Sequence, residues 1–168
     1  MNSTQNFSLE LAEICNENWF LPPEDPLEEL SHSEMGVRRF CFEHNRQVIL
    51  EIGDKKQELF LDPDFILILE ELPQKISRLV RDKKIEISFP ESWLTIYIEP
   101  VDSSTLKCTW REYGESIAEE EFALDKYQVI KILKVFLDQI LTKSVQGGYI
   151  TSTEKDKFFL PSFKSRKY

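Results

Sequence analysis

FALDKYQVIKILKVFLDQILTKSVQGG, residues 122–148, decides the fold. Its first residues close a run in which Ala118, Glu120, Phe122 and Leu124 share one face, the period-two signature of a half-buried strand. Asp125 and Gln128 then stand at capping-box spacing, with Asp in place of the usual Ser or Thr. Val129, Ile130, Leu133, Phe136, Leu137, Ile140 and Leu141 recur at three and four, while Lys131, Lys134 and Asp138 face away. Gly147-Gly148 ends the helix, because glycine enters the left-handed conformation without a Cβ penalty. A strand that runs straight into an amphipathic helix predicts a helical layer laid on a sheet.

The rest of the centre repeats that arrangement. Val48, Leu50 and Ile52 alternate with Ile49 and Glu51, Gly53-Asp54 supplies a turn, and Leu59 and Leu61 continue beyond it. Phe40 and Phe42, alternating with Cys41 and Glu43, read as a strand ahead of this pair. Asp62-Pro63 reads as a helix start, Asp as cap and Pro as first helical residue. Phe65, Ile68, Leu69, Leu72, Ile76, Leu79 and Val80 form the buried stripe, and Pro73 inside it is expected to kink or split the helix. Three further alternating runs follow around Ile85–Phe89, Leu94–Ile98 and Leu106–Trp110.

Ahead of the core, Phe7, Leu11 and Ile14 fall at helical spacing and predict a short helix over about 8–18, broken by Pro22, Pro23 and Pro26. The segment 25–36 reads as an acidic loop. The division is then an N-terminal helix and acidic arm (1–36), a core (37–148) and a basic aromatic tail (149–168). The fold class is α+β: an antiparallel sheet of about six or seven strands with two main helices on one face, plus the N-terminal helical arm. Phe122, Leu133, Phe136, Leu137, Ile140, Ile87, Ile96 and Leu50 are expected to be deeply buried.

Composition limits function. At 168 residues and 41% hydrophobic, the chain suffices for one domain with its own core. A formal net charge of -9 disfavours nucleic acid, whose phosphates it would repel, and favours basic partners or plain solubility. Cys15, Cys41 and Cys108 are odd in number with no CxxC, which points to a reducing interior and a cytoplasmic location. No signal-peptide pattern and no membrane span are read. His32 and His44 have no ligand-spaced neighbours, phosphate-loop and nucleophile-elbow motifs are absent, and Asp62-Pro63-Asp64 is explained by capping. The chain therefore reads as non-catalytic, without metal or cofactor.

Two surfaces are left. Glu115, Glu119, Glu120 and Glu121 cluster at the last strand; they either guard a sheet edge with charge or form a docking face for a basic protein. In the tail Phe158, Phe159 and Phe163 lie among lysines, fit to fold back on the acidic body, to self-associate, or to touch a partner.

The order of elements over about 40–145, with the Ser88-Phe89-Pro90-Glu91 run between the helix and the next strands, resembles the small immunity proteins of polymorphic, wall-associated bacterial toxin systems. The resemblance implies a cytoplasmic, acidic, non-catalytic binder of a basic effector, and no residue role is carried over from it. The alternative is a homo-oligomeric or scaffold component of a larger assembly, joined through the tail.

Overall fold

The computed structural model describes residues 3–15 and 21–158. Its frame is a set of antiparallel ladders. Strand β1 (Phe7–Ile14) pairs with β2 (Arg46–Ile52), which pairs with β3 (Lys55–Phe60). Between β1 and β2 the chain forms helix α1 (His32–Glu43). After β3, a π-type turn at Leu61–Phe65 leads to α2 (Ile68–Val80). Four strands follow as a meander: β4 (Ile85–Phe89), β5 (Leu94–Pro100), β6 (Thr105–Glu112) and β7 (Ala118–Asp125). Helix α3 (Lys126–Gln146) and the short α4 (Ser152–Phe158) complete the described chain.

The fold is α+β, but its strands form two sheets and not one: a three-stranded sheet β1-β2-β3 and a four-stranded sheet β4-β5-β6-β7. Among the described residues they meet at a single parallel bridge, Gln5 to Leu124, where Gln5 N donates to Ala123 O at 2.7 Å. A longer ladder does not develop, because from Phe7 onward β1 is in register with β2. The seam is close-packed. Gly53 has φ +59°, and a Cβ there would lie 2.6 Å from the Phe122 ring. Glycine is therefore required twice at this point, for its backbone and for its missing side chain.

The N-terminal segment is a strand, not a helix. Phe7 and Leu9 are buried, and they pair across from Ile52 and Leu50. Helical spacing was a coincidence here: the free edge of β2 offers a full ladder of backbone partners, and tertiary pairing overrides the local pattern. The reverse correction applies to Phe40 and Phe42, which lie on α1. Ser31 Oγ accepts from Glu34 N at 3.1 Å, and Glu34 Oε1 accepts from Ser31 N at 3.4 Å, a reciprocal cap. The loop expected over 25–36 thus ends in a helix whose Gly36, Val37, Phe40 and Cys41 face the core. Pro73 does not split α2, which runs as one element from Ile68 to Val80.

Helix α3 starts where the sequence places it: the Asp125 carboxylate accepts from Gln128 N at 2.8 Å. It packs on α2, α1, β1 and β7, so it is the element that ties both sheets together. All eight residues expected to be deeply buried are in the core. Phe65 joins the layers, its ring 5.1 Å from Phe136 on α3 and 5.2 Å from Phe89 on β4. Beyond α3 the chain folds back. Ile150 is buried, and Tyr149 and Phe158 pack against the core.

Candidate functional site

Alternation along β4–β7 puts Ile87, Ile96, Cys108 and Phe122 on the core side. The intervening residues fall on the opposite face. Two rows cross it. One runs Glu86, Tyr97, Thr109, Glu121; the next runs Ser88, Thr95, Arg111, Glu119. Glu99, Lys107 and Ala123 begin a third. Cross-strand neighbours about 5 Å apart interact directly, so these rows are physical units.

The second row is wired together. Ser88 and Thr95 hydroxyls lie 3.1 Å apart. Arg111 donates to Glu119 at 3.1 Å and to the Tyr97 hydroxyl at 3.2 Å, and its guanidinium sits 4.8 Å above the Tyr97 ring. The neighbouring Tyr97 most, then Thr95 and Arg111, lower the pKa of Tyr113, while Tyr113 raises that of Tyr97. The canopy explains why Thr95, on the outward side of the sheet, is buried at 3% exposure. At the end of the rows three apolar side chains remain in solvent: Trp93 (63% exposed), Ile117 (65%) and Tyr113 (36%). Trp93 holds a left-handed backbone, φ +55°, just after the short 3₁₀ turn Pro90–Ser92, and its carbonyl accepts from Tyr113 N at 2.8 Å.

The acidic residues singled out from the sequence separate on this frame. Glu119 and Glu121 share the open face; Glu120 lies on the other side, its carboxylate 3.6 Å from Lys55 Nζ; Glu115 is exposed in the loop before β7. Glu119 is ion-paired to Arg111 at 3.0 Å. The tail residue Phe158 is partly buried against the core, so its ring is largely spent on packing; Phe159 and Phe163 lie outside the described residues. Sequence reasoning missed Trp93, Tyr97, Arg111 and Tyr113. The signal was present, because Tyr97 and Arg111 occupy the outward phase of strands already recognised by alternation.

A second feature lies beyond the edge strand β4. A cleft of about 620 Å³ opens between the start of α2 and the chain at 86–91. Asp62 and Asp64 line it, and neither is the helix cap that the sequence suggested. Asn45 holds the backbone of Asp62 from both sides, Nδ2 donating to Asp62 O and Oδ1 accepting from Asp62 N, each at 2.9 Å. The Asp62–Pro63 bond is cis. Asp64 accepts from Ser92 Oγ at 2.7 Å and from Phe60 N at 2.9 Å. Asp62 has no such relief: it is 2% exposed, and among the described residues its Oδ2 has no hydrogen-bond partner. Burial raises the pKa of both carboxyls, and at Asp62 the charge of Asp64 adds to it.

Elsewhere the titratable groups are structural. Burial pushes the Cys108 thiol up to about 12 and Cys41 higher still, which removes the thiolate needed for nucleophilic chemistry. His32 Nδ1 lies 2.8 Å from Glu154, and His44 stacks on Phe40. Among the described residues no group of three or more His, Cys, Asp and Glu side chains is placed to hold a metal ion, and no helix is long and apolar enough to cross a membrane. No family model, no curated protein and no solved structure matches the chain.

Proposed function

We propose that this protein is a non-catalytic docking module that binds a basic protein through the open face of its four-stranded sheet, as an immunity-type inhibitor of a basic effector would. The observation that carries the reading is the composition of that face. Carboxylates at Glu86, Glu99, Glu119 and Glu121 outnumber the cations Lys107 and Arg111, and Trp93 and Tyr113 stand exposed beside them. Aromatic side chains and arginine anchor protein interfaces, and an excess of one sign selects a partner of the other and speeds encounter. The contacts of Arg111 with Tyr97 and Glu119 hold these side chains in place before binding, which lowers the ordering cost of association. Cys41 and Cys108 are buried in the core as small apolar side chains, which suits a reducing, cytoplasmic setting. Of the tail, Tyr149, Ile150 and Phe158 pack on the chain's own core, and residues 159–168 lie outside the described residues.

The test is affinity capture from the native cell with the wild-type chain and with a Glu119→Lys/Glu121→Lys variant whose fold is verified by its circular dichroism. The reading expects a basic protein to be retained by the wild type, released by salt, and lost by the variant. Equal retention by both chains, or a retained partner that is itself acidic, contradicts it.

A further inference from the structure

The geometry points to a second binding site: the cleft between α2 and the 86–91 segment takes an alkyl-guanidinium or alkyl-ammonium group, with the Asp62 carboxylate as its counter-ion. This goes beyond docking at the sheet, because it needs no macromolecule and uses none of the sheet's open-face rows except Glu86 and Ser88 at their edge.

The first observation is the orphaned acid. Asp62 lines the cleft at 2% exposure, and Oδ2 finds no donor among the described residues. A buried carboxylate oxygen without a donor is costly, and native structures rarely keep one without use. The second is that the two cations lining the cleft, Arg38 and Lys75, are already engaged. Arg38, another lining residue, gives Nε and Nη2 to the two oxygens of Glu70 at 2.5 and 2.8 Å. Lys75 lies 3.8 Å from Glu71 and donates to Glu86 O at 2.5 Å. Neither is therefore spent on Asp62.

The third is the shape and lining of the space. About 620 Å³ is the size of a small-ligand site. Its wall includes Ile66, Pro90 and Leu67, the last 58% exposed, and Glu86 and Glu91 are also among its lining residues. An apolar wall leading to a buried carboxylate suits a cation carried on a methylene stem, whose stem packs while its head pairs. Asp64 does not compete for the role, since Ser92 and the Phe60 amide already satisfy it. A divalent metal fits poorly, because no three-ligand cluster exists among the described residues.

The experiment is a titration of ¹⁵N-labelled full-length protein followed by two-dimensional NMR. Agmatine is the free small cation, and the amide of Gly-Gly-Arg-Gly-Gly is the side-chain form of the same chemistry. Saturable shifts centred on Asp62, Asp64 and Ile66–Ile68 are expected. Asp62→Asn should weaken binding by about tenfold or more, the loss of one charge-assisted pair, and Asp102→Asn, a carboxyl remote from the cleft, should leave it unchanged. Leu67→Lys, at an exposed wall position, should also weaken it without touching the core. Tighter binding of agmatine identifies a free small molecule as the natural occupant, and tighter binding of the peptide identifies a polypeptide. Absence of saturable binding by both probes, or equal affinity in the wild type and Asp62→Asn, overturns the assignment. Charge reversal at Glu119 and Glu121 is expected to spare agmatine binding, so the cleft and the docking face fail or succeed separately.

Discussion

Asp62 shows how one residue can mislead a sequence reading. A carboxylate before proline at a helix start reads as a cap, and at Asp125 the same logic succeeds, because Asp125 does accept from Gln128 N. At Asp62 the backbone is clamped by Asn45, a contact across 17 positions that no local pattern encodes. Its carboxyl is left buried and its pKa raised by that burial. A group with a raised folded-state pKa favours the folded state when protonated, and that contribution is lost as pH rises through the folded value. Asp62→Asn is therefore expected to stabilise the protein at pH 7, by about 1 kcal/mol, the scale of one unsatisfied buried polar group. The gain should shrink as pH falls toward the ordinary carboxyl range; urea denaturation of both chains from pH 4 to 7 measures it. A loss of stability at pH 7 would mean that the charge is compensated in the fold. Gly53 is a second residue-scale test. Its positive φ and the Phe122 ring at 2.6 Å leave no room for a side chain, so Gly53→Ala should cost about 1–3 kcal/mol by the same method.

At the scale of elements, long periodic segments were legible and short ones were not. α3, β4, β5, β6 and β7 lie where alternation and helical spacing put them, because each carries enough apolar residues to fix its own period. β1 and α1 were exchanged in kind. Phe7, Leu9 and Leu11 fit a strand as well as Phe7, Leu11 and Ile14 fit a helix, and only the free edge of β2 decides between them. For α1, the Ser31–Glu34 box was a readable signal that the neighbouring phenylalanines obscured. Both elements should matter to stability. Leu9→Ala, in a segment whose spacing predicts a helical arm, is expected to cost about 2–4 kcal/mol, and Ser31→Ala about 1 kcal/mol, in chemical denaturation. Near-zero effects would show that these elements contribute little to the core.

At the scale of the whole molecule, the α+β class with antiparallel strands holds, and the single sheet does not. Among the described residues Gln5–Leu124 is the one bridge between the sheets, and sequence patterns carry no information on where a sheet is interrupted. The candidate surface was legible in part for the same reason. Glutamates are conspicuous in a string of letters, so Glu119 and Glu121 were found, whereas Tyr97, Arg111, Tyr113 and Trp93 become one surface only after three strands are placed in register. That surface is where the account stands or falls. Its most direct test is amide hydrogen exchange on the protein alone and on its complex with the captured basic partner. Slowed exchange concentrated in the loop at 113–117, in β7 and around Trp93 is the result predicted. Slowed exchange confined to β1–β3 and α4, with β7 and the 113–117 loop unchanged, would contradict the assignment of the open sheet face as the working surface.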